Sequence, residues 1–151
     1  MKDVSWKKVS QFKGPEESPG FLLWQVSTSW RRQIEAALIT LNLTHPQFVL
    51  LASVGWLTRD QAWVTQVELA RHCGTDITMT SQVLRALEKK GWIERAQREG
   101  DERSKFPRLT SRGAKLIEQA LPLVESVDRQ FFVPLGQKVH NCVEILQKLR
   151  G

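Results

Sequence analysis

A chain of 151 residues, 41% of them hydrophobic, can bury one sizeable core but is too short for several independent domains. Its 22 Lys and Arg against 16 Asp and Glu leave a formal charge of +6, which favours a polyanionic partner. With no apolar run of about eighteen residues and no leader-like segment, the sequence predicts no membrane span and no signal peptide, and hence a cytoplasmic protein.

The charge is not evenly spread. Residues 75–115 carry ten basic and six acidic side chains, a net +4, so the middle of the chain is where a polyanion would dock. Cys73 and Cys142 have no CxxC spacing, so neither a zinc framework nor a disulfide scaffold nor any cofactor is expected. Both read as packing residues; an oxidant-sensing thiol would need a thiolate-stabilising environment.

In chain order, residues 1–19 mix charges with Gly14, Pro15 and Pro19, a composition that disfavours regular structure and predicts a loosely docked arm. Leu23, Val26, Trp30, Ile34, Ala37, Leu38 and Leu41 then recur at helical spacing and predict a long first helix over residues 20–43. Thr44-His45-Pro46-Gln47 has capping-box form and opens a second helix through the apolar run Phe48 to Leu57. After an Arg59-Asp60-Gln61 turn, Ala62-Trp63-Val64 is extended in character. Thr65-Gln66-Val67-Glu68 supplies another capping box for a short helix ending near His72. Gly74 can end it in the left-handed conformation, and Asp76 or Thr78 can cap a fourth helix running to Lys90. Two short helices around a Gly-containing turn carry a helix-turn-helix signature.

Beyond Gly91, Trp92–Arg95 and Lys105–Leu109 flank the polar stretch Arg98–Ser104, which predicts two strands around a charged loop, with Pro107 at an edge position. Thr110 can cap a long helix that Pro122 bends without stopping. Leu135, Val139, Cys142, Leu146 and Leu149 then repeat at the spacing of a helix seam, which predicts a homodimer. The fold class expected is mainly α with a small β-hairpin wing. Residues 1–19 form the arm, 20–43 a dimerisation helix, 44–113 a winged helix-turn-helix and 114–151 C-terminal dimerisation helices.

Residues 44–113 resemble the MarR family of winged-helix regulators. The likeness is carried by the Thr44-His45-Pro46-Gln47-Phe48 opening, Glu68-Leu69-Ala70, Leu87-Glu88-Lys89-Lys90-Gly91, Asp101, Arg103-Ser104 and Leu109-Thr110-Ser111-Arg112-Gly113. Trp92 stands where a smaller aliphatic is usual, and Pro107 interrupts the returning strand. The resemblance implies a dimer that embraces a pseudo-palindromic operator in double-stranded DNA and represses transcription until a small molecule or an oxidant loosens it.

At 100° per residue, Thr78, Ser81, Gln82, Arg85 and Lys89 share one polar face of the fourth helix, opposite Thr80, Val83, Leu84 and Leu87. Gln82 suits adenine's major-groove edge, Arg85 guanine or phosphate, and Thr78 and Ser81 phosphate oxygens or a thymine. In the wing, Arg103 is the side chain for the minor groove, with Asp101 able to hold its guanidinium. Arg98, Lys105 and Arg108 read as phosphate partners, and Arg95 as a partner of Glu94 or Glu99. The family's effectors imply a small aromatic acid, for which Trp24, Trp30 and Phe48 could line a crevice. An enzyme would need a nucleophile beside a base, paired carboxylates or a metal cluster, and the sequence presents none, so no catalysis is expected. The rival reading is a winged-helix adaptor that binds protein without specific DNA recognition.

Overall fold

The computed structural model describes residues 3–151, so the first two residues of the arm lie outside it. The elements run α1 (Trp6–Val9), α2 (Pro19–Leu38), α3 (His45–Leu57), α4 (Gln66–Cys73), α5 (Ile77–Lys89), β1 (Ile93–Arg98), β2 (Asp101–Leu109), α6 (Ser111–Phe132) and α7 (Val139–Arg150). The arm is more ordered than its composition suggests. It contains the single turn α1 and a 3-10 turn at Pro15–Glu17, and Trp6, Phe12 and Phe21 wall a hollow beside Lys13.

Local signals start most of the helices. Ser18 caps α2 by accepting from Phe21 N, and Pro19 fills the first position, where no amide is needed. Thr44 and Thr65 each form both arms of a capping box, with Gln47 and Glu68 as the returning side chains. The amide and hydroxyl of Thr65 both donate to the Glu68 carboxylate, which holds that group below the usual carboxylate range. Asp76, not Thr78, caps α5, its Oδ1 accepting from Met79 N at 2.7 Å.

The core is one cluster around α3. Phe48, Leu50, Leu51 and Val54 of that helix meet Ile34 and Leu38 of α2, Leu69 of α4, Leu84 and Leu87 of α5, Ile93 of β1, and Ala120 and Val124 of α6. Burying each large aliphatic side chain contributes about 1.5–3 kcal/mol, so α3 is the scaffold on which the other elements are hung.

β1 and β2 form a two-stranded antiparallel sheet with Ile93 opposite Leu109 and Arg95 opposite Pro107. The pairing extends further than the sequence suggests. Arg98 faces Asp101, so only Glu99 and Gly100 make the turn, with Gly100 at φ 82°. An irregularity between Ala96 and Arg98 places the surplus residues on β2. Thr110 N donates to Trp92 O at 3.1 Å, and alternation along the ladder then makes Arg95–Pro107 a non-hydrogen-bonded pair. The missing amide of Pro107 therefore costs the ladder nothing. Ala62-Trp63-Val64 is extended but joins no sheet.

α6 runs unbroken through Pro122, as expected. A 3-10 stretch, Val133–Lys138, then turns the chain at Gly136, so Leu135 precedes α7 instead of belonging to it. α7 buries no residue in its own subunit, and Leu146 and Leu149 are 47% and 72% exposed. The N-terminal half of α2, from Phe21 to Val26, is similarly exposed at every position, and all but Gln25 are apolar. Among the described residues, no single helix is long and apolar enough to cross a membrane.

Candidate nucleic-acid interface

The fourth helix of the sequence reading is α5, and its two faces separate as their spacing predicts. Thr80, Leu84 and Leu87 are buried, whereas Thr78, Gln82, Arg85 and Lys89 are exposed and Ser81 is half-buried. Thr80 is the one polar residue on the inner face, and it is satisfied there. Its hydroxyl donates to Asp76 O at 2.8 Å and lies 2.8 Å from that of Thr75, which pins the start of α5 to the turn after Gly74. Arg85 Nη2 donates to Ser81 Oγ at 3.1 Å, so Ser81 orients the guanidinium on the exposed face instead of standing free of it.

The other end of α5 is held by a cation turned inward. Lys90 Nζ donates to Asn42 O at 2.9 Å and Gln47 Oε1 at 3.3 Å, and lies 4.6 Å from the centre of the Trp92 ring. Gln47 also completes the cap of α3. One lysine thus ties the end of the exposed helix to the α2–α3 turn, where Asn42 takes φ 56°. Trp92, the departure from the commoner family pattern, supplies the platform.

In the hairpin, Arg98, Arg103 and Lys105 are exposed. The proposed Asp101–Arg103 pair is not formed. Asp101 Oδ1 instead accepts from Ser104 N at 3.1 Å, a local turn that organises the bulged part of β2. Arg95 pairs with neither Glu94 nor Glu99; its Nε lies 3.7 Å from Glu88 of α5, linking hairpin to helix. Arg108 is also reassigned. Its Nη2 donates to the carbonyls of Gln61 and Ala62 at 3.2 and 3.1 Å, and its guanidinium lies 4.0 Å above Trp63. A side chain spent on two carbonyls and a ring is not presented to phosphate.

Trp24, Trp30 and Phe48 do not come together as a crevice. Phe48 is part of the core, and Trp30 packs against it with Nε1 donating to Asp128 at 2.7 Å and its ring edge-on to His45. Trp24 is 68% exposed and stands apart from that cluster. Burial pulls His45 below its ordinary imidazole range, Glu35 partly offsetting it, which favours the neutral ring beside Trp30. Burial pushes the Cys73 thiol up, against the pull of its hydrogen bond with Ser53, which disfavours thiolate. A hollow of about 420 Å³ opens instead between α3 and α6, lined by Ala52, Gly55, Trp56, Ile117 and Leu121 with Arg59 at its rim. Arg59 stacks on Trp56 at 3.7 Å. Spacing along the sequence gave no sign of this hollow, because its walls come from helices more than fifty residues apart.

A paired helix-turn-helix with an exposed polar face, followed by a basic hairpin, is the geometry shared with known regulators. The MarR family model matches residues 43–105. The HTH-type transcriptional regulator YdcH of Bacillus subtilis is 45% identical over 140 residues, covering 93% of this chain and 95% of its own. The chain belongs to the MarR family. It is thus a DNA-binding transcriptional regulator with a winged-helix fold. Among solved structures of the MarR family, apo MarR from Escherichia coli superposes with a TM-score of 0.71 at 28% identity, covering 87% of this chain and 96% of that one. Rv2887 of Mycobacterium tuberculosis has been solved with DNA, at a TM-score of 0.68, 29% identity and coverage of 87% and 97%. It has also been solved with salicylic acid, at 0.68, 32% identity and coverage of 87% and 96%.

Proposed function

We propose that this MarR-family protein is a cytoplasmic homodimer that represses transcription by binding a pseudo-palindromic operator, and that a small aromatic acid releases it. It acts by binding and catalyses no reaction. The observation that carries the reading is the exposed set Thr78, Gln82 and Arg85 on a helix whose opposite face is locked into the core. Such a helix can enter a major groove without losing its own packing. Arg103 on the hairpin supplies the second contact, and two copies related by a two-fold axis would read two half-sites. Binding of DNA and of salicylic acid by Rv2887 supports both parts of the proposal. The apolar α3–α6 hollow, with the Arg59 guanidinium stacked on Trp56 among its walls and one of its nitrogens already bonded to Trp56 O, fits a flat aromatic ring better than the separated Trp24, Trp30 and Phe48 do. Oxidant-driven release draws no support from Cys73, because burial pushes its thiol up.

Selection from random duplexes, with and without salicylate, tests this reading. A two-fold symmetric sequence should emerge, and salicylate should lower operator affinity by the same factor by which operator lowers salicylate affinity. Enrichment of no sequence would favour the protein-binding adaptor. Salicylate binding that leaves DNA affinity unchanged would remove the regulatory role of the hollow.

The dimer has its own test. Val139, Leu146 and Leu149 of α7 and Phe21, Leu22 and Leu23 of α2 form uncovered apolar faces too extensive for an isolated subunit. Sedimentation at micromolar concentration should show a dimer only, and a monomer there would overturn the proposed two-fold operator.

A further inference from the structure

The α3–α4 connection is built on an unusual backbone. Asp60 and Gln61 are consecutive non-glycine residues with φ of 58° and 63°, a left-handed pair that persists only where surrounding structure holds it. Arg59 closes one side of this turn by donating to Trp56 O and stacking on the Trp56 ring. Arg108 closes the other side from the root of the hairpin, through its bonds to Gln61 O and Ala62 O. The ring beneath its guanidinium, Trp63, also meets Phe106 of β2 edge-on at 5.3 Å, and Pro107, which separates Phe106 from Arg108 along the strand, is fully buried. The extended segment at Ala62 forms no ladder with the hairpin, so the Arg108 side chain provides the hydrogen bonds that a third strand would have made. Its Nε is buried with no partner, so the half-buried guanidinium is held by Nη2 and by its ring contact.

We infer that Arg108 is the residue that sets the angle of the wing: a positioning residue for DNA binding that locks β2 onto the α3–α4 turn and makes no phosphate contact itself. Arg103 and Lys105 then project from a strand whose root cannot swing. Lysine is not equivalent here, because an ammonium has no planar face to lie flat on Trp63 and cannot hold Nε buried while a separate terminal nitrogen bridges Gln61 O and Ala62 O. The inference rests on the proposed contact between wing and DNA, and its test separates the two.

Operator binding over a salt series, for Arg108→Ala, Arg108→Lys and Arg103→Ala, is combined with amide exchange of residues 93–109 in DNA-free protein. Both Arg108 variants should lose operator affinity by roughly tenfold or more with an unchanged salt slope, Arg108→Ala through loss of the hydrogen bonds and the stack and Arg108→Lys through loss of the planar group stacked on Trp63. Their hairpin amides should exchange faster than in the unaltered protein. Arg103→Ala should leave exchange unchanged and make the slope shallower by about 0.9 for each lost phosphate contact. Trp63→Leu, which removes the stack but keeps the guanidinium, should fall on the Arg108 side of this contrast even if Arg108→Ala folds poorly. A shallower slope for Arg108→Ala with affinity retained in Arg108→Lys would overturn the inference and make Arg108 a phosphate ligand. Unchanged exchange in both variants would overturn it as well. If Arg103→Ala leaves DNA binding untouched, the wing–DNA contact is what fails, and exchange in the absence of DNA still decides the role of Arg108.

Discussion

Gly113→Ala is expected to destabilise the protein by about 3 kcal/mol or more, lowering the thermal midpoint by roughly 10 °C. A Cβ on Gly113 would lie 1.9 Å from Trp92 O and 2.9 Å from the Trp92 carbonyl carbon, both backbone atoms that no rotamer change can move aside. The carbonyl is itself fixed by Thr110 N at 3.1 Å, and the Thr110 hydroxyl both donates to Gly91 O and accepts from Gly113 N. The start of α6 is therefore joined to the turn after α5 through two hydrogen bonds, with the Gly113–Thr110 cap beside them, within a space that fits only hydrogen at residue 113. Helix propensity works the other way, since alanine is better than glycine within a helix by about 1 kcal/mol. The clash is the larger effect. Calorimetry of the variant checks it, and a midpoint equal to or above that of the unaltered protein would show that α6 shifts away from Trp92 at no cost.

Gln82→Ala and Arg103→Ala are expected to fail in different ways. Gln82 is exposed on α5 where it can reach a base edge, so its loss should flatten preference at one or two symmetric operator positions, costing about 1–3 kcal/mol against the preferred base. Binding to unrelated DNA should barely change. Arg103, exposed on the bulged part of β2, should weaken operator and scrambled duplex together, with a shallower salt dependence because fewer counterions are released. Titrations of both duplexes over a salt series measure this contrast. Equal losses on both duplexes for Gln82→Ala would remove it from base reading, and an unchanged slope for Arg103→Ala would remove the wing from the phosphate backbone.

The parts of this fold that could be read from sequence are those whose causes are local. Thr44, Thr65 and Thr110 announce helix starts because cap and capped amide lie three residues apart. The two faces of α5 follow from a single period, and the core residues Leu84 and Leu87 with them. The hairpin was harder. A charged stretch from Arg98 to Ser104 looks like a loop, yet the strands pair as far as Arg98 and Asp101, because register depends on the partner strand and on the Asp101–Ser104 turn within the bulge.

The cations divide in the same manner. Charge alone does not distinguish a lysine or arginine facing phosphate from one facing a carbonyl. Lys90 and Arg108 find their partners 48 and 47 residues away in sequence, beyond the reach of any spacing rule. The aromatic crevice failed for a simpler reason. Trp24 and Trp30 are six positions apart on α2, which places them about 120° apart around the helix axis. One reaches the core and its Asp128 partner, and the other points away.

A C-terminal helix that buries nothing in its own subunit makes assembly a part of folding. In the proposed dimer, α7 gains its cover from a second chain, so the amount of protein enters the equilibrium as a square. Where free subunits predominate, halving the supply of chain lowers the paired form about fourfold. Operator occupancy would then respond to synthesis and turnover more steeply than for a regulator active as a single chain, and an unpaired α7 would be the first segment open to proteolysis. The same bare stripe that looks like a defect in the isolated subunit would give the cell a threshold.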